Sequence, residues 1–464
     1  MATSSSRLFA EISTAQRPSG TKVIMRRAVV LGASMAGLLA ARVLSDHAEQ
    51  VLIIERDDSD VDNEPRPGVP QGTQVHALLP AGQVQLDRWF PGFTAEAVAA
   101  GAQVPKADEA KLYLNDVLRP TLQPKEKREG ALVTTRPFLE TLVRRRTLAV
   151  ENITLVNGRA EGIDFSGTRV SAVRYAPTGS GETVTEPADL VVDGMGRSSK
   201  LSDWLERAGW PSPAMKRMPI KLNYATAVFR RDPAISDTKV MVAQTTPGKG
   251  RTARMGGINA VEGDRWIMLI AGYGDDRPTR DLADFRARCR RDFPAAFGDI
   301  AERGELIGDV ITYHQADSRR REFHELTRLP GGLIAAGDAV ASFNPVYGQG
   351  MTSAMLHASC LSAYLRENPS LTGPARSYFD RVRVIVDAAW QISTQADLGL
   401  PHVDGPYPRG YKITNWLSEL IFEASMKDQE LNARLSTVTT MMAHPMSLAR
   451  PSTLFRALRA TLAR

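Results

Sequence analysis

The segment LIAAGDAVASFNPVYGQGMTSAM, residues 333–355, places an aspartate and three glycines between a short apolar run and a helical pattern. Asp338 follows the apolar run directly, and Gly348 and Gly350 come just before apolar residues at helical spacing. Glycine lets backbone approach a ligand closely, and the first turn of a helix offers unpaired N–H groups and a positive dipole end. The pattern predicts a strand, a loop and a helix that bind an anion, or a ring that becomes one.

A second glycine turn lies in RRAVVLGASMAGLLAARVLSDHAEQVLIIER, residues 26–56, where two apolar runs flank a helical stretch. Its turn is Gly32-x-Ser34-x-x-Gly37, and Glu55 ends the second run, where a carboxylate would bind a ribose. Serine replaces the usual middle glycine and is small enough to let a pyrophosphate approach. This β-α-β unit predicts dinucleotide binding through Gly32, Ser34, Met35, Ala36, Gly37, Glu55 and Arg56.

A third apolar run, in ADLVVDGMGRSSKL at residues 188–201, ends at Asp193-Gly194. The order of glycine turn, Asp193-Gly194 and Gly337-Asp338 resembles that of flavoprotein monooxygenases of the p-hydroxybenzoate hydroxylase type. More narrowly, it is similar to their actinobacterial branch that includes polyether epoxidases, with squalene epoxidase as a distant relative. The resemblance covers residues 26–370 and is most specific at GDAVASFNPVYGQGM.

The fold that the resemblance implies is α/β. It consists of a Rossmann-like FAD-binding domain with a GxSxxG turn, an inserted antiparallel-sheet substrate domain and a helical C-terminal region. We expect the FAD-binding domain at 26–80, 130–201 and 328–370, the substrate domain at 81–129 and 202–327, the helical region at 371–464, and a disordered leader at 1–25.

The resemblance also implies roles for single residues around FAD. Asp338 would accept a hydrogen bond from the ribityl chain, and backbone N–H groups of Gly350 and Met351 would face the N1–C2=O end of the flavin ring. The flavin-edge loop, residues 345–351, is expected to act through Pro345, Gly348, Gly350 and Met351, with no acid or base identifiable. The further cofactor contacts that the resemblance implies are Arg66, Gln71, Arg136, Asp193, Gly337 and Asp338.

The chemistry that the resemblance implies is monooxygenation, in which O2 reacts with reduced FAD to form a C4a-hydroperoxide. Electrons would come from NADPH or NADH, either directly or through a flavin reductase. A phenol hydroxylase would want a base beside the substrate hydroxyl, whereas an alkene needs only a dry, shaped pocket. Because the sequence shows no acid–base pair and only 6% aromatic residues, we favour an apolar secondary-metabolite-type substrate, with epoxidation slightly ahead of hydroxylation.

Three other activities stay open on the same motifs. An FAD-dependent alkene reductase of the geranylgeranyl-reductase type would saturate alkenes without O2, and a non-redox flavoprotein cyclase would use FAD as a scaffold. A flavin halogenase resembles this fold, but its tryptophan-pair motif is absent, since DRWIMLIAG has one tryptophan. Anaerobic turnover would identify the reductase, and turnover with FAD held oxidised would identify the cyclase.

The region between the second and third motifs supplies candidates for the substrate pocket. Residues 202–327 contain apolar or alternating runs separated by turn signals, which predict an antiparallel sheet that walls one side of the site. Each candidate side chain could equally be plain core. The six pocket candidates are Tyr224, Thr226, Met241, Trp266, Met268 and Tyr273.

The charge and cysteine content of the chain argue against nucleic acid and metal as partners. The net charge of +6 over 464 residues is small, and its basic runs lack interleaved aromatic residues, so we expect no nucleic acid partner. Cys289 and Cys360 are far apart and fit no metal spacing, which favours a reducing compartment and predicts no metal site. With no long apolar run, a cytoplasmic location is predicted. Leu454, Leu458 and Leu462 share a face of the last helical stretch, which favours docking on the body over contact with a membrane surface.

Overall fold

The computed structural model describes residues 4–58, 62–121, 130–248 and 250–462. Within them the strands form two sheets. In spatial order, the first sheet consists of β14 (Leu333–Ala335), β8 (Leu190–Asp193), β1 (Met25–Leu31), β2 (Ala48–Glu55), β5 (Ile153–Ser166), β6 (Arg169–Pro177) and β7 (Val184–Pro187).

The strands from β14 to β5 pair in parallel, and β5, β6 and β7 continue the first sheet as antiparallel hairpins. The apolar run 28–31 of β1 is fully buried, as expected for a parallel strand covered on both faces. Because parallel strands end at one edge, the turns that follow β1, β8 and β14 all lie together there.

The second sheet is mixed and mostly antiparallel. In spatial order it consists of β15 (Ala341–Ser342), β13 (Leu306–Arg321), β9 (Met215–Arg230), β12 (Arg265–Tyr273), β11 (Arg254–Val261), β10 (Val240–Thr245), β3 (Ala110–Leu114) and β4 (Val117–Leu118).

Helices cover both sheets. The described helices are α1 (Ser4–Ile12), α2 (Met35–Leu44), α3 (Pro80–Trp89), α4 (Phe93–Ala99), α5 (Arg136–Leu148), α6 (Leu201–Arg207), α7 (Leu282–Asp292), α8 (Ala295–Arg303), α9 (Gln349–Arg366), α10 (Arg376–Asp397), α11 (Tyr411–Ser425), α12 (Gln429–Thr439) and α13 (Pro451–Leu462). Helices α2, α3 and α9 pack together over the first sheet, and α7 and α8 pack on the second. None of these described helices has the length and apolarity needed to cross a bilayer.

The predicted α/β architecture, with its Rossmann-like unit, second sheet and helical C-terminal region, is confirmed. The domain boundaries themselves stay a prediction. The proposed limit at residue 80 falls at the start of α3, whose buried Leu86 and Trp89 belong to the core of the first sheet. Strand β3, also assigned to the substrate domain, pairs with β10 of the second sheet.

The expectation of a disordered leader is wrong for residues 4–12, because these residues form α1. Phe9 and Ile12 are 1% and 2% exposed, and α1 packs against α9 and α10. The guanidinium of Arg88 also donates a hydrogen bond of 2.9 Å to the carbonyl of Ile12. The polar composition of the leader concealed two apolar side chains that share one face of a helix.

The last helix docks on the body as expected, but of its three leucines only Leu454 packs against the neighbouring helices. Leu458 and Leu462 are 42% and 79% exposed, whereas Thr453 and Ala457 of the same helix are fully buried. Ala457 shares a small apolar cluster with Ile421 and Ala424 of α11. Small side chains allow the two helices to approach closely, which turns Leu458 and Leu462 outward.

Candidate active site

The three predicted cofactor motifs meet at the shared edge of the first sheet. Gly32 has a φ of +98°, and a Cβ at this position would lie 2.8 Å from the carbonyl oxygen of Gly194. A Cβ on Gly337 would lie 2.6 Å from the Cβ of Ala36. Glycine at Gly32 and Gly337 therefore lets the three turns pack against one another.

The N-terminus of α2 lies directly on the first turn. A Cβ on Gly37 would lie 1.8 Å from the carbonyl oxygen of Gly32, so only glycine permits this approach. The N-cap residue Ser34 makes no side-chain hydrogen bond to the helix backbone. Its hydroxyl instead donates to Glu140 at 2.8 Å and accepts from Arg136 at 2.8 Å. The first N–H groups of α2 are thus not capped by this serine and can bind a pyrophosphate.

A buried carboxylate that the sequence analysis missed, Glu140 on α5, holds the arginines beside this turn. It accepts hydrogen bonds from Arg66 Nε at 2.9 Å, Arg136 Nη2 at 3.1 Å and Arg144 Nη2 at 3.3 Å. Burial opposes ionisation of Glu140, but the charges of Arg136 and Arg66 and the bond from Ser34 outweigh it and lower its pKa. The i, i+4 spacing of Arg136, Glu140 and Arg144 was the signal available in the sequence.

Glu55 lies where the sequence predicts it, at the end of β2. One carboxylate oxygen accepts a hydrogen bond of 2.5 Å from the backbone N–H of Ala33 and lies 3.3 Å from Arg66 Nη1. The other oxygen accepts from the N–H of Asp57 at 3.0 Å. Of the neighbouring predicted contacts, Arg56 is exposed and Gln71 is half-buried.

Asp193 and Asp338 occupy equivalent strand ends but differ in their surroundings. Asp193 is fully buried, and its oxygens accept hydrogen bonds from Met195 N and the Ser199 hydroxyl; burial raises its pKa to about 6. Its carboxylate therefore fastens the turn after β8 rather than facing a ligand. Asp338 is half-buried and faces the charges of Arg136 and Arg197, while burial raises its pKa.

The turn that carries Asp338 is held by a buried histidine. The N–H of Gly337 donates a hydrogen bond of 2.9 Å to Nδ1 of His357 on α9. Burial lowers the pKa of His357 to about 3, so its ring is neutral and can accept this bond. His357 thus links the strand end to the helix that follows the flavin-edge loop.

In the flavin-edge loop, the backbone at Gly350 has free space beside it. Gly348 is the N-cap of α9 with a φ of +66°, and a Cβ there would lie 3.1 Å from the Cβ of Ala77. At Gly350, in contrast, the nearest atom to an added Cβ is Asp338 Oδ1, 4.0 Å away. The amide of Gln349 is buried without a hydrogen-bond partner among the described residues. Open backbone and an unpaired amide are features that a bound polar ring would complete.

These residues fit FAD. The uncapped N-terminus of α2 and the adjacent Arg136 suit a pyrophosphate, the Asp338 carboxylate suits a polyol chain, and the start of α9 suits a ring that gains negative charge. Arg136 links the part of the site that suits the pyrophosphate to the part that suits the polyol chain. It donates a hydrogen bond to Ser34, and its charge acts on Asp338.

The second sheet divides the six predicted pocket residues between its two faces. Tyr224 and Tyr273 belong to the apolar cluster that includes Val346 of the flavin-edge loop, and Thr226, on the same face as Tyr224, donates to Gln74 at 2.5 Å. Met241, Trp266 and Met268 instead pack in the core beneath α7 and α8. The prediction is wrong for these three residues, because side chains alternate across a strand and theirs point away from the loop.

Asp397 beside the flavin-edge loop and Tyr347 within it were not identified from the sequence. Asp397, the last residue of α10, is fully buried and accepts hydrogen bonds from Asn344 at 2.8 Å and from Tyr347 at 2.9 Å. Burial raises the pKa of Asp397 to about 7. Tyr347 lies inside the flavin-edge loop, but no spacing in the sequence relates it to a residue 50 positions later.

Comparison with known proteins identifies the class. No family model matches this chain. The fold superimposes on the flavin-dependent brominase Bmp2 with a TM-score of 0.67 at 16% identity, over 94% of this chain and 99% of the brominase. A kynurenine 3-monooxygenase of Salinispora arenicola is 26% identical over 396 residues, 79% of this chain and 78% of that enzyme. The fold therefore belongs to the class of flavin-dependent enzymes that includes this brominase, and the chain is similar in sequence to a monooxygenase.

Within that class, a more similar sequence gives the family. Protein Rv3254 of Mycobacterium tuberculosis is 32% identical to this chain over 416 residues, which cover 87% of each protein. The chain belongs to the same family as Rv3254.

Proposed function

We propose that this protein inserts one oxygen atom from O2 into an apolar small molecule, using bound FAD and an external electron donor. The observation that carries the proposal is the contact between the flavin-edge loop and the second sheet. Val346 of the loop packs in one apolar cluster with Tyr224, Leu269 and Ala271 of the sheet. An apolar wall beside the expected ring edge suits an apolar substrate.

Gly257 on β11 supports the same proposal. Gly257 is buried, yet a Cβ added to it would meet no atom of the described residues within 4 Å, its chain neighbours aside. It pairs with Leu269 on β12, and a Cβ on its neighbour Gly256 would instead touch Phe293 and Phe297 on the opposite face. The open space therefore lies on the face that carries Leu269, which also faces the loop, and it offers room for a substrate.

The side chains and backbone of this protein would perform distinct tasks. Bound FAD would receive the electrons from the external donor and provide the site at which O2 is activated. Arg136 and the N-terminus of α2 bind the pyrophosphate, and Asp338 accepts a hydrogen bond from the ribityl chain. N–H groups of Gly350 and Met351 stabilise negative charge on the ring, helped by the dipole of α9. The apolar face of the second sheet positions the substrate and excludes water.

The proposal includes either epoxidation or hydroxylation, with a secondary-metabolite-type molecule as substrate. NADPH, NADH or a separate flavin reductase would supply the electrons. The sequence favours epoxidation because it shows no acid or base, but the buried Asp397 beside the loop is a group that hydroxylation could use. The polyether-epoxidase branch therefore stays a prediction.

The test is transfer of labelled oxygen. Protein loaded with FAD is reduced with NADPH, NADH or dithionite and mixed with styrene or 2-naphthol under labelled O2. We expect a product with one labelled oxygen atom, as measured by mass spectrometry. A saturated product formed without O2 would instead support the alkene reductase, and turnover of a polyene with FAD held oxidised would support the cyclase.

A further inference from the structure

The carboxylate of Asp397 has one oxygen in use and one without a partner. Oδ1 accepts hydrogen bonds from Asn344 Nδ2 and Tyr347 Oη, at 2.8 Å and 2.9 Å. Oδ2 is buried and has no hydrogen-bond partner among the described residues. A buried carboxylate oxygen without a donor is costly, so it calls for a group that completes it.

Asp397 lies beside the candidate active site. Its two partners lie in and next to the flavin-edge loop, on either side of Pro345. The chain after Asp397 enters the apolar cluster through Leu398 and Leu400, the same cluster that holds Tyr273 and Val346. Asp397 thus lies between the loop and the apolar wall proposed for the substrate.

The other polar groups near Asp397 have hydrogen-bond partners of their own. Asn344 Oδ1 accepts from the N–H of Val346 at 3.2 Å, and its Nδ2 is 3.5 Å from the hydroxyl of Tyr273. The ring of His402 lies 5.8 Å from that of Tyr273. Its Nε2 is hydrogen-bonded to the carbonyl oxygen of Ile220 at 2.6 Å. Among these groups, the unpaired Asp397 oxygen is the acceptor left for a ligand.

We propose that Oδ2 of Asp397 accepts a hydrogen bond from a hydroxyl group of the substrate, so that the substrate is an apolar molecule bearing a hydroxyl rather than a plain alkene. This inference rests on the proposed function and narrows its substrate class. If the substrate hydroxyl ionises, its O–H bond breaks and the proton forms a new O–H bond at Asp397 Oδ2. The other oxygen keeps the flavin-edge loop in place through Asn344 and Tyr347.

The test compares two probes that differ only by a hydroxyl, 2-naphthol and naphthalene, bound to the FAD-loaded protein. Because burial raises the pKa of Asp397 to about 7, binding is measured above that pH, where the carboxylate is charged. A hydrogen bond to a charged acceptor is worth about 1.5–3 kcal/mol, so we expect wild type to bind 2-naphthol at least about tenfold more tightly. Asp397→Asn keeps the size and the Oδ1 acceptor but replaces the free oxygen with a donor, and it should abolish the preference. Asp387→Asn, on the same helix and 46% exposed, is the matched control and should retain it.

The outcomes separate this inference from the proposed function. Equal binding of the two probes by wild type, binding of neither, or a preference retained in Asp397→Asn would overturn the assignment. A thermal melt shows whether the variant folds. If it does not, the comparison of 2-naphthol with naphthalene binding by wild type still tests the inference. FAD retention and O2 consumption by the reduced wild type are measured alongside. If both are present without a probe preference, only the inference fails, and if both are lacking, the proposed function fails.

Discussion

The acidic residues at the cofactor motifs have similar sequence positions but different environments. Glu55 and Asp193 are engaged by backbone N–H groups and neighbouring side chains, whereas Asp338 is half-buried beside two arginines. The sequence could predict that these carboxylates end their strands, because each follows an apolar run. It could not predict which one faces a ligand, since Asp193 is bonded by Ser199 after its own strand, whereas Asp338 faces Arg136 and Arg197 from two other segments.

A substitution at Asp338 tests its proposed bond to the ribityl chain. Asp338→Ala should weaken FAD binding by about 1.5–3 kcal/mol, the usual contribution of a hydrogen bond to a charged group. Fluorescence titration of the apoprotein with FAD would measure this loss, with Asp237→Ala as the control, because the Asp237 side chain is 92% exposed. Equal FAD affinity of Asp338→Ala and wild type would remove Asp338 from the cofactor contacts.

His357 gives a prediction for acid stability. Its pKa is lowered to about 3 in the folded protein, compared with an ordinary value of 6.5, so the unfolded chain binds more protons between these values. The contribution of neutral His357 to stability is fully present above about pH 6.5 and is lost as pH falls towards 3. His357→Asn can still accept the Gly337 bond but does not titrate. The difference in Tm between wild type and variant should narrow on acidification, and a constant difference would contradict the assignment.

At the scale of elements, the sequence patterns were informative where a helix or strand is defined by local spacing. The β-α-β unit at 26–56 folds as predicted because its apolar runs, glycine turn and helix are contiguous. The sheet at 215–321 also follows its alternating runs, but the runs do not say which face meets the loop. Phe229 pairs with Trp266, and both lie under α8, which fixes Trp266 and Met268 on the side away from the site.

The open face of β11 leads to a prediction about the pocket. Gly257→Leu would fill the space beside Gly257, in which an added Cβ meets no atom within 4 Å. We expect naphthalene binding to fall by about tenfold, equal to about 1.4 kcal/mol, while FAD affinity is unchanged. Gly181→Leu is the control, because that glycine is exposed and also meets no neighbour. Undiminished naphthalene binding by Gly257→Leu would show that the pocket lies elsewhere.

At the scale of the whole molecule, the site depends on segments far apart in the chain. The glycine turn near residue 32, Arg136 on α5, the Gly337 turn and the end of α10 at Asp397 all lie around one edge of the two sheets. The sequence and its resemblance predicted the first three, since each carries a motif. The C-terminal contribution could not be predicted, because Asp397 ends an ordinary amphipathic helix and is related to the loop only by long-range packing.

If FAD lies against the start of α9, as we propose, a side chain at position 350 should displace it, and Gly350→Val is the direct test. Among the described residues outside the backbone of α9 itself, an added Cβ at Gly350 meets only Asp338 Oδ1, at 4.0 Å, so the apoprotein should fold with a Tm close to that of wild type. A side chain there would occupy the space proposed for the flavin edge, and we expect FAD affinity to fall at least about a hundredfold, equal to about 2.7 kcal/mol. A folded Gly350→Val protein that binds FAD as tightly as wild type would contradict the account.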